Sequence, residues 1–236
     1  QSQVVWGHVG NSAAAFALQR LGLNVWAVPT ALFSHHPGHG APAGRAFTAD
    51  EMSALTASLK ARGLYAQCAG VLTGWMGGLA AAEAAARAAR DVKAANPAAL
   101  WLCDPVLGDS DGGLYVAPEL ADFYRDALAH ADIVTPNRFE LEYLTGQTVV
   151  GEGEALAALD RLLERGPRLA ICTGLEIESG SIATIAASGE AAFAAVTSKL
   201  PRVPKGAGDL LAALLLGRLL QGMTLKDALA LAVGAV

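Results

Sequence analysis

The stretch from Gly70 to Cys103 reads GVLTGWMGGLAAAEAAARAARDVKAANPAALWLC, and it indicates the fold class of the chain. A short apolar run, Gly70–Thr73, is followed by an alanine-rich segment, Gly78–Ala95, and then by a second apolar run, Leu100–Cys103. Short apolar runs favour buried strands, whereas a long alanine-rich segment favours a helix. A strand, a helix and a second strand in this order predict a parallel βαβ unit.

The same alternation continues on both sides of this unit. It predicts further strands at Val25–Val28, Ile133–Thr135 and Leu169–Thr173, and further helices at Ser12–Leu21, Ala49–Ala61, Pro118–Ala129 and Glu154–Arg165. The runs Ser181–Ala187 and Ala191–Val196 flank Gly189 and predict a β-hairpin appended to the sheet. Two more helices are expected to begin near Gly206 and Thr224. We therefore predict an α/β protein with a mainly parallel sheet, in which residues 1–236 form one domain.

Composition excludes several classes of function. The net charge of −5 supplies no basic stripe for nucleic acid. No apolar run reaches the roughly 18 residues of a membrane span, so we expect neither a nucleic-acid nor a membrane partner. The three cysteines, Cys68, Cys103 and Cys172, fit neither a zinc site nor a disulfide framework. We expect reduced, buried thiols in a cytoplasmic protein without a signal peptide, and we expect both termini to be incomplete.

Polar residues follow two predicted strands, at the sheet edge where ligands bind in parallel sheets. Asp104 follows Leu100–Cys103 directly, and Asp109 lies in the loop beyond it. A carboxylate at the end of a buried strand needs a cation or hydrogen-bond donors, so this pair predicts either a Mg²⁺ site or caps on nearby amides. The segment Thr135–Glu140 gathers more polar groups, but acidic residues are common in a first helical turn.

The segment Pro204–Asp209, PKGAGD, carries the strongest chemical signal. Small residues that enter a helix expose backbone N–H groups at its positive end, which forms an anion site. Asp209 then lies in the first turn beside that site, where it could accept a hydroxyl proton during phosphoryl transfer. The alternative is a glycine-containing loop whose aspartate only caps the helix.

Other nucleotide-binding motifs do not occur in the sequence. No stretch matches the P-loop pattern, and the turn Gly7–Ser12 lacks the third glycine of a dinucleotide fingerprint.

Six segments, taken together and in order, resemble the pyridoxal kinases of the ribokinase superfamily over nearly the whole chain. They are Gln1–Asn11, Phe33–His36, Val71–Trp75, Cys103–Val106, Thr135–Asn137 and Gly206–Asp209. The resemblance implies a three-layer ribokinase-like fold with helices on both faces of the sheet. It also implies ATP-dependent phosphorylation of the 5′-hydroxymethyl group of pyridoxal, with Mg²⁺ and a monovalent cation such as K⁺ as cofactors, in a homodimer.

The resemblance also implies residue roles. Asp209 would take the proton of the substrate hydroxyl, and the amides of Gly206, Ala207 and Gly208 would steady the phosphoryl group. On the substrate, Ser2 would bind the pyridine side and His36 would approach the ring substituents. Val9 and Trp75 would lie on the two faces of the ring, and Phe33 belongs to the substrate-loop motif. The residues that would bind the nucleotide and Mg²⁺ are Asp104, Asp109, Thr135, Asn137, Glu140 and Thr173.

The chain departs from the family pattern at three places. Pro37 stands where a substrate-contacting Thr is common, Ala207 replaces a frequent Thr or Val, and Val196–Pro204 is shorter than usual. Pro37 puts one substrate hydrogen bond in doubt, whereas a backbone amide at Ala207 serves regardless of the side chain. The alternatives are a hydroxymethylpyrimidine kinase, a sugar kinase of the same superfamily, and a vitamin B6-binding protein without catalysis.

Overall fold

A central sheet of six strands organises the chain. The computed structural model describes residues 1–177 and 180–236. The strand order is β11-β10-β9-β8-β5-β4, with β4 (Gly70–Thr73), β5 (Leu100–Cys103), β8 (Ile133–Val134), β9 (Leu169–Ile177), β10 (Ser181–Ser188) and β11 (Ala192–Ser198). Strands β4, β5, β8 and β9 are parallel, and β10 and β11 add an antiparallel hairpin to β9. The predicted parallel sheet with an appended hairpin is thus confirmed.

Helices flank this sheet at the predicted places. They are α1 (Asn11–Arg20), α2 (Ala49–Ala61), α3 (Leu79–Ala95), α4 (Pro118–Ala127), α5 (Arg138–Thr145), α6 (Glu152–Leu163), α7 (Ala207–Leu220) and α8 (Leu225–Val233). A 3₁₀ turn, Leu128–His130, continues α4, and another spans Leu64–Gln67. Helix α2 begins where the sequence predicts it, because Thr48 and Glu51 form a reciprocal capping box.

The core lies in two layers on opposite faces of the sheet. Because side chains alternate along a strand, Trp101 and Cys103 of β5 face one layer and Leu102 faces the other. The first layer packs against α3, α4, α5 and α6, and the second packs against α1, α7 and α8. Helix α7 is apolar around most of its circumference because it is largely buried in the second layer. The expected three-layer arrangement is confirmed.

The predicted strand at Val25–Val28 is wrong, because this segment has no hydrogen-bonded strand beside it. This segment and β4 both line a cavity of about 400 Å³ and form no ladder with each other. The side chain of Asn11 donates to the Val28 carbonyl at 3.3 Å and helps to hold the segment.

Two small β-structures were not predicted. Strands β1 (Gln3–Val4), β2 (Ala31–Phe33) and β3 (Gly44–Ala46) form a separate three-stranded sheet, and β6 (Gly108–Asp109) pairs with β7 (Gly113–Leu114). These strands have only two or three residues, which is too short for a visible alternation of apolar and polar residues.

The three cysteines are free: Cys103 and Cys172 are buried, and Cys68 is half-buried. Across residues 1–177 and 180–236, no helix combines the length and apolar character needed to cross a membrane.

Candidate active site

Two glycine-containing loops meet at the start of α7. Gly206 caps that helix with φ 95°, a left-handed conformation that favours glycine. A Cβ at Gly206 would lie 1.8 Å from the carbonyl oxygen of His8, so the two loops touch through backbone alone. Gly10 has φ 55°, and a Cβ there would lie 2.2 Å from the Ser2 carbonyl oxygen. The Pro204–Asp209 segment therefore packs against the Gly7–Asn11 loop through a close contact at Gly206, which excludes a Cβ.

Asp209 lies in the first turn of α7, where this contact places it at the helix N-terminus. Burial raises the pKa of its carboxyl group, and the facing backbone amide of Gly10 opposes that rise. This half-buried carboxylate, with its raised pKa, lies beside the first N–H groups of α7, which have no partner within the helix. Such an arrangement can accept a proton and hold an anion side by side.

The residues predicted to contact the substrate ring line this end of the sheet. Ser2 and Val9 are buried, and the Ser2 carbonyl accepts a hydrogen bond from the Asn11 amide at 2.7 Å. The rings of Phe33 and Trp75 stand edge to face, with centroids 6.1 Å apart. Phe33 ends strand β2 and Trp75 follows strand β4, so the small sheet and the main sheet each supply one aromatic ring.

His36 and Pro37 form the start of a turn beside the anion site. The Gly38 amide donates to Nδ1 of His36 at 3.0 Å. Burial, the nearby Lys205 ammonium and His39 lower the pKa of His36, in that order of size. Lys205 itself is exposed to solvent. Pro37 has no side-chain group that could replace the hydrogen bond of a Thr.

The predicted nucleotide-side residues gather at the carboxyl ends of the parallel strands. Thr135, after β8, donates to Asp104 Oδ1, after β5, at 2.8 Å, and both side chains are buried. Thr173 of β9 donates its amide to the Pro136 carbonyl at 2.9 Å and pairs with Asn137. Neighbouring parallel strands thus bring four sequence-predicted residues to one edge.

Two carboxyl groups at this edge carry raised pKa values. Burial and then the charge of Asp209 raise the pKa of Asp104 to about 7. Burial and then the charge of Asp104 raise the pKa of Glu140 well above its usual range. The charge of Asp209 thus acts on Asp104, and the charge of Asp104 acts on Glu140, so these three carboxyl groups are electrostatically linked at this edge.

Glu140 and Asp109 serve local structure in this conformation. Glu140 is 3% exposed, and its two oxygens accept from the Leu107 and Asn137 amides at 2.9 and 2.8 Å. Asp109 Oδ1 accepts from the Gly112 amide at 2.6 Å across the β6–β7 turn. Amide capping, one of the two interpretations left open by the sequence, describes Asp109, and its metal role stays a prediction.

The donors at this edge fit a Mg²⁺ ion that is shared with substrate. Within the described part of the chain, no three His, Cys, Asp or Glu side chains form a group that could hold a metal alone. Mg²⁺ in phosphoryl-transfer sites commonly uses one or two carboxylates together with substrate phosphates. The buried carboxylate of Asp104 meets that description, because a cation would offset the cost of burying its charge near Asp209.

Gly10 is a site residue whose contact with Asp209 the sequence did not predict. The glycine-rich turn Gly7–Ser12 was visible, but a contact between residues this far apart in the chain depends on the tertiary fold. The available signal is the glycine itself, which is needed for its positive φ and its close approach to Ser2.

Comparisons with known proteins agree with this geometry. The family model described as phosphomethylpyrimidine kinase matches residues 47–236. The chain is 45% identical to a pyridoxal kinase PdxY of Rubrobacter xylanophilus and 44% identical to one of Deinococcus radiodurans, and each match covers 100% of this chain and 83% of the relative. A pyridoxal kinase of Leishmania donovani, solved in complex with ADP and pyridoxamine, superposes with a TM-score of 0.93 at 27% identity. That match covers 99% of this chain and 82% of the other.

Proposed function

The chain belongs to the pyridoxal kinases within the phosphomethylpyrimidine kinase family, and from this we infer that it transfers the γ-phosphoryl group of ATP to the 5′-hydroxymethyl group of pyridoxal. The observation that carries the proposal for the mechanism is the position of Asp209 at the N-terminus of α7, against the loop of Gly10. A proton acceptor and a set of anion-binding amides lie there together, as transfer to an alcohol requires.

We propose that Asp209 removes the proton from the substrate hydroxyl as the oxygen attacks the γ-phosphorus. The new O–P bond forms while the bond to the bridging oxygen of ADP breaks, and the proton passes to the carboxylate. Burial raises the pKa of Asp209, which makes it a stronger base than an exposed aspartate. The amides of Gly206, Ala207 and Gly208 would stabilise the charge of the phosphoryl group in transit.

The substrate ring is proposed to bind between Val9 and Trp75, with Phe33 edge-on to the indole. A flat heteroaromatic ring gains most from such an apolar and aromatic surface. Ser2 would meet the pyridine side, and His36 would face the ring substituents. Its lowered pKa favours a neutral imidazole, which can both donate and accept a hydrogen bond. Pro37 has no side-chain hydrogen-bonding group, so the substrate hydrogen bond that the family resemblance implies for a Thr at this position is not expected here.

The nucleotide is proposed to bind at the strand ends, against Asp104, Thr135, Asn137, Glu140 and Thr173. Mg²⁺ would be held by Asp104 and the phosphates, with Asp109, Thr135 and Glu140 around it, and would neutralise charge on the phosphates. A requirement for K⁺ is kept as a prediction, to be measured by replacing K⁺ with Na⁺ in the assay.

Homodimer formation is proposed through the small sheet β1–β3. Val5 is 79% exposed and Leu32 is 46% exposed, and Leu32 lines a groove of about 350 Å³ together with Val5, Phe33 and Phe47. Contiguous exposed apolar side chains favour a protein interface. We further propose that residues 1–236 form one domain, because both apolar layers share one sheet. A cytoplasmic location is proposed because ATP is the phosphoryl donor.

The substrate is tested by ATP- and Mg²⁺-dependent turnover of pyridoxal, pyridoxine and hydroxymethylpyrimidine in parallel. We expect the vitamin B6 compounds to be phosphorylated with a higher kcat/KM than the pyrimidine. Preference for the pyrimidine would contradict the proposed substrate but would still agree with phosphoryl transfer from ATP. Tight pyridoxal binding without turnover would instead favour the non-catalytic binding protein, although such a protein has no need of Asp209.

A further inference from the structure

The loop that carries Trp75 is tethered by two buried hydroxyl groups. The phenol of Tyr124 donates to the Gly74 carbonyl at 2.9 Å, and the hydroxyl of Thr30 donates to the Trp75 carbonyl at 2.8 Å. Tyr124 and Thr30 are each 1% exposed. The two donors come from distant parts of the chain, α4 and the residue before β2, and they meet at consecutive carbonyls.

These carbonyls lie just beyond the end of the strand ladder. The last ladder contact between β4 and β5 joins Thr73 and Cys103, and the Asp104 amide then donates to the Thr73 carbonyl. Gly74 and Trp75 follow, where no neighbouring strand continues to offer amides. A buried carbonyl without a donor is costly. The two hydroxyls therefore satisfy these groups and also fix the backbone on both sides of the Trp75 Cα atom.

The indole ring of Trp75 is confined as well as its backbone. Phe33 stands edge-on to it, and Gly77, at φ 72°, lies beside the Cζ3 and Cη2 atoms of the indole. A Cβ at Gly77 would lie 3.1 Å from Cζ3 of the indole, so a side chain there would push the ring aside by a few tenths of an ångström, and the positive φ favours glycine as well. The indole is thus placed by contacts that leave it little freedom, which is how a rigid stacking surface is prepared before a ligand binds.

We propose that Tyr124 and Thr30 are positioning residues for substrate specificity, which act by holding Trp75 in the orientation that stacks on the pyridine ring. This inference rests on the proposed function, because it takes Trp75 as the ring-binding residue. It assigns a role in binding to two buried side chains that lie outside the six motif segments. It also predicts that their hydroxyls matter for pyridoxal and not for ATP.

The test compares Tyr124→Phe and Thr30→Val with matched controls. Tyr65→Phe removes the same kind of hydrogen bond, from a buried phenol to the Thr56 carbonyl at 2.8 Å. That bond is made to α2 and not to the loop of Trp75. Thr30→Ser keeps the hydroxyl. For each variant, the KM for pyridoxal, the KM for ATP and kcat are measured, together with the Kd of pyridoxal from tryptophan quenching without ATP.

Loss of either hydroxyl is expected to raise the KM and Kd for pyridoxal by about five- to tenfold, the effect of about one net hydrogen bond. The kcat and the KM for ATP should change less than about twofold. The lost contact binds pyridoxal equally in the ground state and the transition state, so its loss does not raise the barrier of the bound complex. Thr30→Ser and Tyr65→Phe should resemble the wild type.

The proposal is overturned if pyridoxal affinity is unchanged in Tyr124→Phe and Thr30→Val, if Tyr65→Phe weakens it equally, or if the KM for ATP rises in step. Failure of the wild type to phosphorylate pyridoxal would refute the proposed function, and the Kd series would still decide this inference separately.

Discussion

Asp104→Asn is expected to stabilise the ligand-free protein while it impairs catalysis. The carboxyl group of Asp104 is 7% exposed and accepts a hydrogen bond from Thr135 at 2.8 Å. Burial and the charge of Asp209 raise its pKa from 3.8 to about 7. An asparagine keeps an oxygen that can accept from Thr135, but it carries no charge that must be buried.

The sign of the pH dependence follows from the raised pKa. The folded protein holds the Asp104 proton more tightly than the unfolded chain, so stability from this group is full below pH 3.8 and is lost as pH rises to about 7. At 1.4 kcal/mol per pKa unit, the ionised group costs at most about 4 kcal/mol at pH 8. The variant should escape this loss.

Urea unfolding at pH 5, 6, 7 and 8, without nucleotide or Mg²⁺, measures the difference. The gap in free energy of unfolding between Asp104→Asn and wild type should widen by about 2 kcal/mol or more between pH 5 and 8. At the same time, kcat/KM should fall by about a hundredfold, as for loss of one electrostatic group in an active site. The exposed Asp126→Asn on α4 is the control and should change neither quantity.

If the free energies of unfolding of Asp104→Asn and wild type run parallel with pH, the reasoning is refuted, because ionised Asp104 would then not destabilise the folded protein. A variant less stable than wild type at pH 8 would refute it equally.

Three further variants test the packing, the ion pairs and the assembly. Gly206→Ala should lower the free energy of unfolding in urea by more than about 2 kcal/mol and abolish most turnover, because the positive φ of Gly206 and the nearby His8 carbonyl both exclude a Cβ. The control Gly153→Ala lies in open space on α6 and should not destabilise the protein. Equal effects of the two substitutions would contradict the account. Asp132→Asn removes the charge of a buried acceptor shared by two cationic side chains, and it should lower the free energy of unfolding by about 2 to 4 kcal/mol with kcat unchanged. Breaking the exposed ion pair between Asp122 and Arg125 should lower it by less than about 1 kcal/mol. Leu32→Glu should halve the mass measured by light scattering, and an unchanged mass would remove the small sheet as the interface.

The fold was predictable where the chain is locally periodic. The alanine-rich α3 and the capping box of Thr48 and Glu51 have strong local signals, and the structure confirms them. The segment Val25–Val28 has the same local signal as a strand, but strand formation depends on a partner at hydrogen-bonding distance. That requirement is set by the tertiary arrangement, and so the prediction failed there.

The site was predictable to a similar extent. Asp104 follows a predicted strand, Thr135 ends one, and Asp209 lies in the first turn of a predicted helix, so the topology brings them to one edge. The bonds from Tyr124 and Thr30 to the Trp75 loop are different, because they join residues 50 and 45 positions apart. No local pattern marks a buried hydroxyl as the partner of a distant carbonyl.

The central claim is that Asp209 accepts the proton of the substrate hydroxyl beside the anion site of α7. The most direct measurement is single-turnover phosphorylation of pyridoxal by Asp209→Asn at saturating ATP and Mg²⁺, with the Kd of pyridoxal measured on the same sample. The account predicts a rate about 10² to 10⁴ times slower than that of wild type, with the Kd for pyridoxal within about threefold. A rate close to that of wild type would contradict it.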